Sequence, residues 1–238
     1  IETRRHRSLG TVLAGKKAWD SLNLHKILAE CSFSPTQQRD VMLSVINRLC
    51  EPVSENALPG WLNTVALDEL ICEPLDMLDE NRFYRISDTL LRNKETIEAK
   101  LADQHKLLFG SKHTILLYDI TNTYFEGRVE ENDIAQRGFS KEKRFDCPLV
   151  SCGMVLDENG SVVKHNSFTG NLAEAKTLTQ QLLELKDDYP GAMIVMDAGI
   201  SNQGNLELVR EHGFHYITVG KRPLRMLYKE KFENIDDF

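Results

Sequence analysis

The hydrophobic residues of the chain follow two different spacings, one before Gly110 and one after it. Before Gly110 they recur three and four positions apart, which is the spacing of one face of an α-helix. This pattern predicts helices over residues 37–50, 64–71, 80–91 and 94–109. Ser34 and Pro35 suit the N-cap and the first position of the first helix. Residues 1–26 are less regular and are predicted to form an extended arm or an edge element.

After Gly110, short hydrophobic runs alternate with helical patterns. The runs predict strands over residues 114–120, 149–156, 161–168, 192–197 and 214–219, with helices over 171–186 and 202–212. Asp157-Glu-Asn-Gly160 is typical of a hairpin turn, so the second and third strands are predicted to be antiparallel. Residues 115–118 of the first strand are all apolar, which predicts a central strand that is buried on both faces.

The order of these elements predicts the fold class. Three strands joined antiparallel, a helix, a strand parallel to the first, a second helix and a fifth strand match a ribonuclease H-like sheet. The predicted fold is therefore α/β, with residues 1–112 as a helix-rich domain and residues 113–238 as a ribonuclease H-like mixed sheet. Residues 222–238 have no partner element in this scheme, so we expect the sheet to be incomplete and the chain to be an amino-terminal fragment.

Two aspartates follow hydrophobic runs at equivalent places in this scheme. Asp119 comes after the run of the first predicted strand, and Asp197 after that of the fourth. Because ligands of open α/β sheets bind at the carboxyl ends of the strands, we expect both side chains at one edge. Carboxylates about 4 Å apart repel by roughly 1 to 4 kcal/mol, and a divalent cation relieves that repulsion. The hydroxyls of Thr121 and Thr123 add oxygen donors of the kind that magnesium prefers.

Composition and charge narrow the class of protein. The chain has 41% hydrophobic and 27% charged residues, which is an ordinary balance for a globular protein. It has neither a long apolar run nor a signal-peptide pattern, so no membrane association is predicted and a cytoplasmic location is expected. Five cysteines without a CxxC pair indicate reduced thiols and not a zinc site.

A basic cluster lies in a predicted loop of the acidic second half. The net charge of −7 argues against a protein that is basic throughout, but local basic patches still suit nucleic acid. The cluster comprises Arg137, Lys141, Lys143 and Arg144. These side chains are candidates for contacts with DNA phosphates, and a solvated loop is the alternative interpretation.

Four blocks of sequence carry a resemblance to a known family. They are Tyr118-Asp-Ile-Thr-Asn-Thr-Tyr-Phe-Glu126, Arg137-Gly-Phe-Ser-Lys-Glu-Lys-Arg144, Phe168-Thr-Gly-Asn171 and Val195-Met-Asp-Ala-Gly199. In this order and spacing they resemble the blocks of bacterial insertion-sequence transposases of the DDE class. The superfamily that they resemble is the one of which the IS-four elements are the type.

The resemblance implies a catalytic core in which three carboxylates hold two Mg²⁺ ions, or Mn²⁺ in their place. Asp119 would be the first acid and Asp197 the second. The third acid of these transposases is a glutamate on a later helix, and we assign no glutamate after Asp197 to that role. The implied activity is cutting and strand transfer at the ends of the element. The implied partners are double-stranded DNA and a second copy of the chain, in the cytoplasm and at the nucleoid of a bacterium.

Two alternatives stay open at this stage. One is a catalytically dead transposase remnant that only binds DNA or partner subunits. The other is a phosphatase of the haloacid dehalogenase type, whose first motif also ends a strand in an aspartate. Thr123 matches that motif, but Thr121 stands where its second acid belongs.

Overall fold

A computed structural model describes residues 6–75, 78–110, 112–126, 129, 131–138 and 144–219 of the 238-residue chain. The contacts between residues divide the chain into two compact units, Ile1–Phe109 and Gly110–Phe238. None of the helices in these described ranges combines the length and the hydropathy that crossing a membrane requires.

The first unit is helical. Its helices are α1 (Gly10–Ser21), α2 (Leu24–Glu30), α3 (Pro35–Cys50), α4 (Leu58–Leu62), α5 (Leu67–Ile71), α6 (Asn81–Arg92) and α7 (Lys94–Phe109). Their apolar faces share one core around the fully buried Leu43, Ile46 and Phe83. As predicted, Ser34 caps α3: its Oγ accepts a hydrogen bond from the backbone N–H of Gln37 at 3.3 Å.

The prediction of an extended arm or edge element over residues 1–26 was wrong for residues 10–26, and residues 1–5 lie outside the described residues. Residues 10–21 form α1, and the next helix begins at Leu24. Val12 and Trp19 lie two helical turns apart on one face of α1, and both are buried in the core of the first unit. Burial of this face stabilises a helix whose hydrophobic pattern is irregular when it is considered alone.

The second unit is built on a five-stranded mixed sheet. Its strands are β1 (Ile115–Tyr124), β2 (Leu149–Leu156), β3 (Val162–Thr169), β4 (Met193–Met196) and β5 (His215–Thr218). They lie in the order β3-β2-β1-β4-β5, in which β1, β2 and β3 are antiparallel and β4 and β5 run parallel to β1. This is the predicted ribonuclease H-like arrangement, and the α/β fold class is confirmed.

The described part of the second unit also contains the helices α8 (Leu178–Leu185) and α9 (Gln203–Glu211). Their apolar side chains share a core with Leu116 and Tyr118 of β1. The prediction that β1 is buried on both faces was wrong, because Ile115 and Leu117 on the other face are 39% and 38% exposed. The helices of the described residues pack on one face of β1, so burial alternates along the strand.

The first strand is longer than predicted. Its pairing with β4 ends at Tyr118↔Met196, but its pairing with β2 continues to Tyr124↔Leu149. Asp119 therefore lies within β1 and not at its exit. The predicted helix over residues 171–186 is also different, since a short 3-10 helix over Glu174–Lys176 precedes α8.

Candidate active site

Asp119 lies in β1, and Asp197 directly follows β4, the parallel strand next to it. Tyr118 and Met196 form the last residue pair between β1 and β4, and each aspartate follows one of them directly. Adjacent strands are about 4.8 Å apart, so the two backbones have about that spacing at Tyr118 and Met196, one residue before the aspartates. Both residues are exposed. The edge of the sheet at which we predicted both acids is the one where the chain leaves β4.

Local hydrogen bonds orient the two carboxylates. Oδ1 of Asp197 accepts hydrogen bonds from the backbone N–H groups of Gly199 at 3.0 Å and Ile200 at 3.1 Å, as in an Asx turn. Among the residues that the structure describes, none donates a hydrogen bond to the second oxygen of Asp197. In β1, Oδ1 of Asp119 accepts from the backbone N–H of Ile120 at 2.8 Å. Oδ2 of Asp197 is thus available as a ligand atom.

A third carboxylate lies beside Asp197, and the sequence analysis did not single it out. A Cβ atom on Gly199 would lie 3.1 Å from Oε2 of Glu174 and 3.2 Å from Oδ1 of Asp197. The separation of these two oxygens cannot exceed the sum of those distances. Glu174 comes three residues after the block that ends at Asn171, but no periodicity in the sequence marks it. Only the packing of the 3-10 helix brings it to this edge.

Two buried hydroxyls hold the turn that carries Glu174. Tyr118 Oη donates a hydrogen bond to Thr177 Oγ1 at 2.7 Å, and Thr177 Oγ1 donates to the backbone carbonyl of Glu174 at 2.7 Å. Burial of the phenol raises the pKa of Tyr118 to about 12, the hydrogen bond to Thr177 lowers it in part, and the negative charges of Asp119 and Glu174 add to the rise. The phenol therefore stays protonated and able to donate.

The wild type is expected to lose stability at high pH because the Tyr118 phenol ionises, and Tyr118→Phe is expected not to show this loss. Because the pKa of Tyr118 is about 12 in the folded protein and the ordinary value is 10.0, the stability that the protonated phenol contributes is complete below pH 10 and is lost as the pH rises towards 12. At pH 11 the loss is about 1.4 kcal/mol. Urea titrations at pH 9 and pH 11 measure it as the difference between wild type and Tyr118→Phe. The exposed Tyr84→Phe is the control, and an equal pH dependence in all three proteins would contradict the assignment.

The structure describes two of the four residues of the predicted basic cluster, Arg137 and Arg144, and their surroundings differ. Arg144 forms two hydrogen bonds with Asp146, at 2.8 and 3.0 Å, and lies 5.8 Å from the centre of the Tyr124 ring. This pairing holds the pKa of the Asp146 carboxyl far below its ordinary value. Arg137 is exposed and has no ion pair with an acid among the described residues. Lys141 and Lys143 lie outside the described residues.

Comparison with known proteins identifies the second unit. The model of the family described as "Transposase DDE domain" matches residues 110–236, which is more than half of the chain. The chain belongs to this transposase family. No curated protein matches it significantly. The family membership confirms the resemblance to DDE transposases and favours it over the haloacid dehalogenase alternative.

Several solved structures resemble parts of the transposase chain at low identity. A piggyBac transposase in a synaptic complex with hairpin DNA is 10% identical, with a TM-score of 0.41, and the match covers 87% of this chain and 48% of the other. Mos1 transposase in a paired-end complex with the left transposon end is 12% identical, with a TM-score of 0.31 and coverages of 77% and 59%. A chain of the simian T-cell lymphotropic virus intasome complex with the PP2A regulatory subunit B56 gamma is 14% identical, with a TM-score of 0.31 and coverages of 52% and 38%. The transposase chain thus spans less than two thirds of each.

The sequence block that contains Gly138 and the block that contains Gly170 pack against each other at these two glycines. A Cβ on Gly138 would lie 2.0 Å from the carbonyl oxygen of Gly170, and a Cβ on Gly170 would lie 1.9 Å from that of Leu149. Gln136 and Leu149 exchange two backbone hydrogen bonds of 3.0 Å, and Gly170 donates to the carbonyl of Ile134 at 3.1 Å. These contacts hold the loop that carries Arg137 against the ends of β2 and β3.

The carboxylate oxygens near Asp119 and Asp197 suit the divalent metal ions that DDE transposases use. Carboxylate oxygens are the ligands that hard cations such as Mg²⁺ require. Two carboxylates, one from Glu174 and one from Asp197, have oxygens 3.1 to 3.4 Å from the position that a Cβ on residue 199 would occupy, and glycine leaves that position unfilled. The residues present at this edge of the transposase domain therefore fit a divalent cation.

Proposed function

We propose that the protein is a DNA transposase of the IS-four type, encoded by a bacterial insertion sequence, which cuts DNA at the ends of its element and transfers the strands to a target. The observation that carries this proposal is that Asp119 in β1 and Asp197 after β4 each directly follow the last residue pair of these neighbouring strands, within a matched transposase domain. This is the edge where ligands of α/β sheets bind.

In this proposal Asp119 and Asp197 hold Mg²⁺, or Mn²⁺ in its place. Bound there, the metal supplies an activated nucleophile and stabilises the leaving oxygen of an in-line displacement at phosphorus. The backbone N–H groups of Gly199 and Ile200 fix one oxygen of Asp197 and leave Oδ2 as a ligand. The exposure of both aspartates gives a DNA backbone access to the edge.

We further propose that the basic loop contacts the phosphates of double-stranded DNA. Arg137, Lys141 and Lys143 supply charge for these contacts, whereas the guanidinium of Arg144 is paired with Asp146. The glycine contacts place Arg137 on a segment that is held against the sheet, which reduces the entropy lost on binding. Action on paired ends suggests a homodimer, working in the cytoplasm at the nucleoid.

The two arginines of the loop are expected to differ in their effect on DNA binding. Arg137→Ala should lower the slope of log affinity against log salt by about 0.9, the value for one lost phosphate contact on duplex DNA. Arg144→Ala should change the slope by much less, because Asp146 already neutralises that guanidinium. Fluorescence anisotropy with a labelled duplex at several salt concentrations measures both slopes. Equal slopes for wild type and Arg137→Ala would contradict the contact.

Metal-dependent nicking of supercoiled plasmid DNA tests the proposed activity. Nicking that requires Mg²⁺ or Mn²⁺ and is lost in Asp119→Asn and Asp197→Asn variants would support the transposase assignment. A protein that binds duplex DNA but does not nick it under any of these conditions would instead be the DNA-binding remnant.

A further inference from the structure

We infer that Glu174 is a ligand of the divalent cation at Asp197, so that the metal centre of this domain contains a carboxylate from the turn before α8. The inference rests on the proposed function, because it extends the same metal site. It differs from the third acid that the family resemblance implies, which is a glutamate on a helix beyond Asp197. Glu174 precedes Asp197 in the chain.

The first observation is the convergence of carboxylate oxygens next to Gly199. Oε2 of Glu174, Oδ1 of Asp197 and Oδ2 of Asp197 lie 3.1, 3.2 and 3.4 Å from the place where a side chain on residue 199 would begin. Any other residue at this position would put a carbon atom among the three oxygens. Gly199 therefore keeps open a space that is lined by acceptors and is accessible from an exposed edge.

The second observation is that the position of Glu174 is built into the core. Tyr118 is 2% exposed and directly precedes Asp119, and its hydroxyl is linked through Thr177 to the backbone of Glu174. Gly153 on β2 leaves room for this hydroxyl, since a Cβ there would lie 2.8 Å from Tyr118 Oη. The residue that precedes the first aspartate thus positions the turn that carries Glu174 next to the second.

The third observation is electrostatic. The turn holds the carboxylate of Glu174 near that of Asp197. Like charges held this close raise the energy of the site when both are ionised, and a divalent cation between them relieves it. Oxygen ligands from two separate elements, a turn and a strand end, also suit the coordination number of Mg²⁺ better than one aspartate.

Calorimetric titration of the full chain with MgCl₂ and with MnCl₂ tests this inference without a measurement of activity. At 150 mM salt, which screens distant charges, Glu174→Gln is expected to weaken binding about tenfold or more, and Asp197→Asn to weaken it at least as much. Gly199→Ala keeps every charge and is also expected to weaken binding. Glu211→Gln at the far end of α9 removes one charge outside the site and should bind as the wild type does. Circular dichroism and urea midpoints check that each variant is folded.

The outcomes separate the two claims. If Asp197→Asn binds the cation as the wild type does, the proposed metal site and this inference both fail. If Asp197→Asn loses binding but Glu174→Gln matches Glu211→Gln, the inference fails and the proposed function stands. If Glu174→Gln weakens binding but Gly199→Ala leaves it unchanged, the cation does not lie in the space next to Gly199, and the inference is overturned.

Discussion

Replacement of Asp119 or Asp197 by asparagine is expected to lower the rate of metal-dependent DNA nicking about a thousandfold or more. Metal ions contribute several kcal/mol to stabilisation of the transition state in phosphoryl chemistry, and each 1.4 kcal/mol is a factor of ten in rate. Asparagine has nearly the shape of aspartate but lacks its charge. Oδ1 of residue 197 can therefore still accept from Gly199 and Ile200, while the anionic ligand is lost.

The measurement is the conversion of supercoiled to nicked plasmid at saturating Mg²⁺ and at saturating Mn²⁺. Asp188→Asn is the matched control, because Asp188 is exposed and lies before β4, at the opposite end of that strand from Asp197. The control should nick at the rate of the wild type. Comparable nicking by Asp119→Asn, Asp197→Asn and the control would remove both aspartates from the catalytic assignment.

Replacement of Gly170 by alanine is expected to destabilise the second unit by about 3 kcal/mol or more, the upper range for overpacking. The added Cβ would lie 1.9 Å from the carbonyl oxygen of Leu149 and 2.5 Å from that of Gln136. Both oxygens belong to the backbone and to the hydrogen-bonded pair that joins the loop to β2. They cannot move aside as a flexible side chain does, so the loop must detach or β2 must shift.

Urea unfolding measures this loss, and Gly204→Ala provides the control. Gly204 lies in α9, where the nearest atom to an added Cβ is Asn202 Oδ1 at 3.4 Å. Alanine is favoured over glycine inside a helix by about 1 kcal/mol, so this variant should be as stable as the wild type or more stable. If Gly170→Ala and the wild type unfold at the same urea concentration, the loop is not packed on Gly170 as described.

Short-range patterns were enough to predict the strands of the second unit in the right order. Apolar runs bounded by turn residues mark β2 and β4, and the hairpin turn ends at Gly160, whose φ of +80° suits glycine. The same patterns did not predict the end of β1, where pairing with β2 extends the strand through polar residues. Nothing local makes Asn122 and Thr123 part of a strand, and they belong to β1 because β2 supplies backbone partners as far as Tyr124.

Burial was the property that local patterns predicted least well. A run of four apolar residues in β1 is compatible with two covered faces, yet Leu117 is exposed and Leu116 is not. In the first unit, α1 was missed because its pattern has only a few strong positions, such as Val12 and Trp19. Which faces become covered depends on the elements that pack there, and this information is spread over distant parts of the chain.

The sequence by itself was enough to predict the transposase family and the α/β class, and it marked Asp119 and Asp197 as candidates, because these signals lie in short stretches of residues. Only the tertiary structure placed Glu174 beside Asp197, paired Arg144 with Asp146 and brought Gly138 against Gly170. These contacts join segments that come together through strand pairing and packing of the core. Their chemistry depends on distances between atoms, which neither periodicity nor composition records.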